Sequence, residues 1–273
     1  MAAGRASLIH TLRASLEAQG RVVAAWEGGS AAFERDDEWS DVDAVAVVHD
    51  DAVAAVFAQV EADLAALSPI ELRFDPPALP GFAQRFYRLQ GFGEFHIVDL
   101  VLFCRSDPLL FREVELHGRG RTWFDREGLL VERHLDAAAD AAAAAARVEP
   151  LRAQFEMMQH LVRKDLHRGR HVDALAFFHA YTLRPLVEAL RLLHAPHTRI
   201  FGLRYLGRDL PAPVVQRVER LAYVADAAQL AAVQAEAEAW FRACMARLQA
   251  RGPGSGLQGL TPDADARTRA PAR

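Results

Sequence analysis

Trp26-Glu-Gly-Gly-Ser30, followed ten residues later by Asp41-Val-Asp43-Ala-Val-Ala-Val-Val48, is the stretch on which the reading of this 273-residue chain turns. Two glycines and a serine break an apolar run that begins at Val22, and Ala31, Ala32 and Phe33 follow. The segment therefore reads as strand, turn and helix, with Ser30 able to cap the helix. Such a turn offers free backbone N–H groups, a hydroxyl and the positive end of a helix dipole, which together suit a phosphate. Residues 42–48 are β-branched and apolar apart from Asp43, the pattern of a central strand. Asp41 and Asp43 stand two apart, so on a strand both project to one face, where paired carboxylates repel unless a cation neutralises them.

Working outward, residues 94–103 read as a strand with one acid inside it: Asp99 falls in phase with Phe95, Ile97, Val101 and Phe103. Burying an isolated carboxylate is costly, so Asp99 calls for a partner, and a cation shared by three carboxylates would supply one. Upstream, residues 7–19 carry Leu8, Leu12 and Leu16 at helical spacing, and the alanine-rich stretch 51–67 also reads as helix. Pro76, Pro77 and Pro80 mark a loop before a strand over 82–89. Signals weaken after Pro108.

The alanine run at 136–146 reads as a helical connector. Beyond it, helices can be drawn through 151–167, 171–194, 213–224 and 226–249, with Pro185 expected to kink or split the second. The expectation is thus an α+β chain: a small mixed sheet with helices over 1–136, a helical bundle over 147–250, and a disordered Gly- and Pro-rich tail over 251–273.

With 51% hydrophobic and 25% charged residues the chain has the composition of an ordinary globular protein. Its 32 basic and 36 acidic residues leave a net charge of −4, which gives no pull towards a polyphosphate backbone or an anionic membrane. A nucleic-acid partner is therefore not expected, nor a membrane, since no uninterrupted apolar run reaches spanning length. Cys104 and Cys244 lie far apart, without metal-ligand spacing or a disulfide framework, and the first twenty residues lack the apolar core of a signal peptide. A cytoplasmic protein is expected, its oligomeric state open.

The Gly-Ser turn, the Asp-x-Asp at the head of an apolar strand and the lone Asp of a later strand resemble the DNA polymerase beta-type nucleotidyltransferase superfamily. The added helical half resembles the layout of its small antibiotic-modifying branch, the aminoglycoside and lincosamide nucleotidyltransferases. The motif likeness covers residues 20–103. It implies Mg²⁺-dependent transfer of a nucleoside monophosphate from a nucleoside triphosphate, ATP or another, to a hydroxyl of a small acceptor, an antibiotic among the candidates, with release of pyrophosphate. Gly28, Gly29 and Ser30 would hold the β- and γ-phosphates. Asp41 and Asp43 would bind two Mg²⁺ ions, about 3.5–4 Å apart in such sites. Asp99 would complete the metal site and take the acceptor's proton, with Glu94 and Glu156 as other candidates for the base.

Charge adds a second expectation. Residues 147–208 hold eleven basic against five acidic residues, +6, whereas residues 27–50 hold eight acids against Arg35 alone. An acidic and a basic segment together suit a metal–triphosphate complex. Lys164, the one lysine of the chain, is a compact point charge on the polar side of its helix and is the first candidate triphosphate ligand, with Arg163 beside it and Arg168 and Arg170 behind. His160, His167 and His171 lack the further ligands of a metal site. Arg191 and His197 have the spacing of the Arg/His pair of helical ribonuclease domains, a spacing chance readily supplies. Against an active enzyme on a small molecule stand a catalytically silent nucleotide-binding or antitoxin-like module and transfer to a protein or RNA acceptor.

Overall fold

Alternation of small and β-branched residues sets the sheet on which the acids stand. In a computed structural model, which describes residues 4–77, 79–106 and 113–250, the chain forms two units, Met1–Leu135 and Asp136–Arg273.

The first unit runs α1 (Arg5–Ala18), β1 (Val22–Glu27), a 3₁₀ turn (Ala31–Phe33), β2 (Val42–Val48), α2 (Val53–Leu67), β3 (Ile70–Phe74), β4 (Phe82–Leu89), β5 (Val98–Cys104), α3 (Val114–His117) and β6 (Arg121–Asp125). Its strands form one sheet in the order β3-β4-β5-β2-β1-β6. β2 and β5 pair in parallel and the other neighbours antiparallel. Val42, Ala44, Ala46 and Val48 turn one face towards Leu8, Leu12 and Leu16 of α1 and Val56, Val60 and Leu64 of α2. Each leucine so buried contributes about 1.5–3 kcal/mol, enough to pin both helices to that face. The opposite face carries a smaller core, Trp26, Val47 and Phe103 with Val45, Val101, Leu129 and Leu130 against it. That core leaves the N-terminal ends of β2 and β5 uncovered by it.

Three local expectations are corrected. No full helix follows Ser30: the chain makes a three-residue turn, closed by Glu34 in the left-handed region at φ 56°. The strand expected over 94–103 begins at Val98, so Phe95 precedes it and stands exposed. β3 and β6 are strands that periodicity did not pick out. Four of the five β3 residues are exposed, which removes the alternation a half-buried strand displays.

The second unit is helical. α4 (Ala137–His167) takes in the alanine run as its first turns, capped by Asp136, whose carboxylate accepts from the N–H groups of Ala138 and Ala139 at 2.9 Å. The run is part of the bundle's first helix, where the sequence suggested a connector. After α5 (His171–Phe177) the chain widens into a π-helical stretch, Phe178–Leu183, before α6 (Arg184–His194). Pro185 explains the stretch: it has no N–H for the carbonyl of Tyr181, four residues back. Gln159 of α4 replaces the missing donor, its Nε2 giving to the Tyr181 carbonyl at 2.9 Å while its Oε1 accepts from Thr182 Oγ1 at 2.7 Å. A 3₁₀ segment (Pro196–Phe201), α7 (Leu206–Asp209), α8 (Ala212–Ala222) and α9 (Ala227–Ala250) follow. Phe155 of α4 and Phe241 of α9 stack at 3.6 Å between centroids in the core. The tail over 251–273 lies outside the described residues. Among the described residues no helix is long and apolar enough to cross a membrane.

Candidate active site

Parallel pairing of β2 with β5 sets Asp43 directly opposite Asp99. Neighbouring strands lie about 4.8 Å apart, so the two acids share one face at strand spacing. Asp41 sits one residue ahead of β2. On the other side of Asp43 is the glycine turn: the Gly28 N–H donates to the Asp43 carbonyl at 2.8 Å. Gly29 has φ +53°, and a Cβ placed on it would fall 1.6 Å from Asp43 Oδ2. The carboxylate thus packs on the bare Cα of Gly29, and only glycine satisfies both the backbone angle and the contact.

The turn is rich in unused donors. Among the described residues the N–H groups of Gly29, Ser30 and Ala31 reach no protein acceptor, and Ser30 Oγ is buried without a hydrogen-bond partner. Three successive free N–H groups and an orphaned hydroxyl form an anion-binding concavity beside the acids. Because Ser30 opens a single 3₁₀ turn and makes no capping bond, this concavity relies on its own donors rather than on a long helix dipole.

The acids are held under mutual repulsion. Burial first, then the charges of Asp41 and Asp99, push the Asp43 carboxyl up to about 7, with Arg5 opposing. Burial also raises Asp99, whose two oxygens accept from Gln84 Nε2 of β4 at 2.7 and 2.9 Å, and the Asp41 charge adds to the rise. Among the described residues no three acidic, histidine or cysteine side chains form a ready ligand set. Register brings Asp43 and Asp99 together, with Asp41 one residue ahead of β2, but the three carboxylates do not close into one ligand set. Its donor chemistry, neighbouring carboxylate oxygens, fits a hard divalent cation.

Two arginines fix the loop that carries Asp41. Arg5 Nε donates to the Asp41 carbonyl at 3.1 Å, and its guanidinium pairs with Asp36 at 3.1 Å and with Glu27. Arg121 of β6 forks onto both Asp36 oxygens at 2.9 and 2.6 Å. Glu27, 3% exposed, ends β1 immediately before the glycine turn. Arg5, Glu27, Asp36, Arg121 and Gln84 are site residues that sequence reasoning missed. A buried-strand glutamate abutting Gly28 was the one signal available, because the arginines and Gln84 come from distant segments.

The remaining candidates divide differently. Glu94 is exposed in the bend before β5. Glu156, Arg163 and Lys164 belong to α4 in the second unit. Glu156 is engaged by Arg242, which makes two bonds of 3.0 Å to it and holds its carboxyl below the usual range. Arg163 pairs with Glu238 at 2.6 Å, while Lys164, half-buried in the last turn of α4, forms no ion pair among the described residues. Half of the +6 of this segment is offset by acids outside it, as Arg163, Arg191 and Arg199 pair with Glu238, Asp209 and Asp140, while Arg147 pairs with Glu188 inside the segment. Arg168 and Arg170 approach the buried Asp165 to 3.7 and 3.8 Å. Arg191, fully buried, also donates to the carbonyl of Gly202 and to Thr198, whereas His197 is exposed, so that pair forms no site. His160 Nδ1 lies 2.9 Å from the Met157 carbonyl, and His167 and His171 are exposed.

No protein-family model matches the chain, and no curated protein matches it. Among solved structures the chain is similar to an aminoglycoside 6-adenyltransferase from Bacillus subtilis, at 11% identity over 91% of each chain with a TM-score of 0.34. It is also similar to a nucleotidyltransferase-like protein from Exiguobacterium sibiricum, at 13% identity over 91% of this chain and 76% of the other with a TM-score of 0.36. At such identities, what this chain does rests on its own residues.

Proposed function

We propose that the chain is a metal-dependent nucleotidyltransferase that moves a nucleoside monophosphate from a nucleoside triphosphate to a hydroxyl of a small acceptor and releases pyrophosphate. The observation that carries this is the direct contact between a turn of unused N–H donors, Gly29 to Ala31, and an acidic pair, Asp43 opposite Asp99, whose charges repel. An anion cradle abutting an anionic cluster suits a ligand that carries both signs, a polyphosphate chelating a divalent cation.

In this reading Gly28, Gly29 and Ser30 bind the β- and γ-phosphates through N–H groups and the Ser30 hydroxyl. Asp41, Asp43 and Asp99 would hold Mg²⁺, which when bound offsets charge on the attacking and leaving oxygens. The acceptor oxygen forms its bond to the α-phosphorus as the bond to pyrophosphate breaks, and the acceptor's proton passes to an Asp99 oxygen. A carboxyl raised by burial is the better base for that step. Gln84, donating to both Asp99 oxygens, fixes the direction in which they face. Lys164 is proposed as a triphosphate ligand ahead of Arg163, because the latter is already paired. A cytoplasmic setting supplies the nucleotide and Mg²⁺.

The test is pyrophosphate release from each of the four nucleoside triphosphates with Mg²⁺, against a panel of aminoglycosides, lincosamides and simple sugars. Release that depends on one acceptor and disappears in Asp41→Asn supports the reading. Release undiminished in Asp41→Asn and Asp43→Asn overturns it.

A further inference from the structure

One turn hydrogen bond and the registers of three strand pairs continue the acidic row across the sheet. Gly28 bonds Asp43, Asp43 pairs with Asp99, Asp99 with Phe86 of β4, and Phe86 with Phe74 of β3. Directly paired residues project to one face. A line across that face therefore reads phosphate turn, acid, acid, phenyl, phenyl. Phe86 and Phe74 are stacked, with centroids 5.9 Å apart and planes at 23°. Phe74 is 59% exposed and Phe86 half-buried. Nothing in the edge strand's own fold requires an exposed phenyl stacked on another, and Leu72 and Leu79 add exposed apolar area near it in the chain.

We propose that Phe86 and Phe74 form the acceptor platform of this enzyme and that its acceptor is a hydroxyl compound carrying an aromatic ring or another flat apolar face. This rests on the nucleotidyltransferase reading above. In-line displacement at phosphorus puts the attacking and leaving oxygens on opposite sides of the reacting atom. With the leaving pyrophosphate on Gly28 to Ser30, the attacking hydroxyl arrives from the β4 side of Asp99. At strand spacing, Phe86 lies about 5 Å and Phe74 about 10 Å beyond the Asp99 row, so a ring on the phenyls carries its hydroxyl to Asp99. Aromatic stacking without charge selects a flat apolar face. Gln84, on the same face as Phe86, already spends its amide donors on Asp99. The platform therefore holds its ligand by apolar contact.

Phenyl β-D-glucopyranoside and methyl β-D-glucopyranoside serve as probes, their binding followed by saturation-transfer NMR on the full chain. The phenyl glycoside is expected to bind saturably and about tenfold more tightly than the methyl glycoside, since a ring contact of this kind is worth about one decade. Phe74→Ala, an exposed edge position that the fold tolerates, should weaken the phenyl glycoside about 5- to 10-fold. Trp39→Ala, which removes the exposed ring set edge-to-face against Phe95 with centroids 5.0 Å apart, should leave it unchanged. A non-hydrolysable ATP analogue with Mg²⁺ should not displace the bound glycoside. Absence of saturable binding, equal affinity for the two glycosides, loss in Trp39→Ala instead of Phe74→Ala, or displacement by the nucleotide would each overturn the platform. Failure of the nucleotidyltransferase reading shows separately, as pyrophosphate release that survives Asp41→Asn.

Discussion

Asp43→Asn should make the metal-free protein more stable at pH 8, although it deletes a proposed ligand. The Asp43 carboxyl is moved from 3.8 to about 7 by burial and by the charges of Asp41 and Asp99. Because the folded pKa lies above the unfolded one, the folded state binds the extra proton between the two values, and stability falls as pH rises through that window. At 1.36 kcal/mol per pH unit, the difference of about 3 units corresponds to about 4 kcal/mol lost above pH 7. Asp43 is only part-buried, so the part recovered by an uncharged isostere is taken as half, about 2 kcal/mol. Urea midpoints of wild type and Asp43→Asn, measured in EDTA at pH 5, 6, 7 and 8, give the assay. The variant's advantage should be smallest at pH 5, where the unfolded carboxyl is already ionised and roughly two-fifths of the loss has accrued, and should grow to its largest value at pH 8. Adding Mg²⁺ at 100 times its Kd should then stabilise wild type by about 2.7 kcal/mol and the variant by much less. A variant less stable than wild type at pH 8, or an offset that does not change with pH, would refute the account of a cluster under charge repulsion.

Four other substitutions separate binding from folding. Ser30→Ala removes a buried hydroxyl that has no partner, so its urea midpoint should hold or rise, while KM for the nucleoside triphosphate rises about 5- to 10-fold from one lost hydrogen bond. Gly29→Ala forces a Cβ onto Asp43 Oδ2 at positive φ and should cost about 2 kcal/mol in urea unfolding together with most of the activity. Gln159→Leu leaves the Tyr181 carbonyl and the Thr182 hydroxyl without the bonds that accommodate Pro185; calorimetry should show a loss of about 1–3 kcal/mol. Arg191→Leu leaves Asp209 with Arg208 as partner at 2.6 Å but takes the buried donor from the Gly202 carbonyl and the Thr198 hydroxyl, and thermal unfolding should report a loss of about 1–3 kcal/mol with no change in nucleotide affinity.

The three acids were legible because each breaks a local rule: Asp43 and Asp99 interrupt apolar strands, and Asp41 repeats Asp43 at strand period. Their mutual position was not, since 56 residues separate Asp43 from Asp99 and nothing local specifies that β2 pairs with β5, in parallel and in that register. The helices were legible for the same reason as the central strands, through periodic burial, and Pro185 announced the break between α5 and α6. Gln159, which supplies the donor that Pro185 lacks, is a polar residue on an otherwise apolar stripe and is recognisable only once Tyr181 is seen beside it. β3 escaped notice because its exposed residues carry no alternation.

That same exposure is the physical link between what the sequence hides and what the site does. A sheet packed on one face by α1 and α2 must either cover its other face or leave it for a ligand. Here the small core of Trp26, Val47 and Phe103 takes the C-terminal ends of β2 and β5, leaving the N-terminal ends to Asp43 and Asp99. Stability would favour apolar residues at both positions, since each carboxyl is raised by burial and so destabilises the metal-free fold at neutral pH. The arginine pair on Asp36 and Glu27 lies around Asp41 and the turn rather than on Asp43 or Asp99. It therefore holds the loop in place without discharging the acids, and the charge that remains is available to a cation carried in with its polyphosphate.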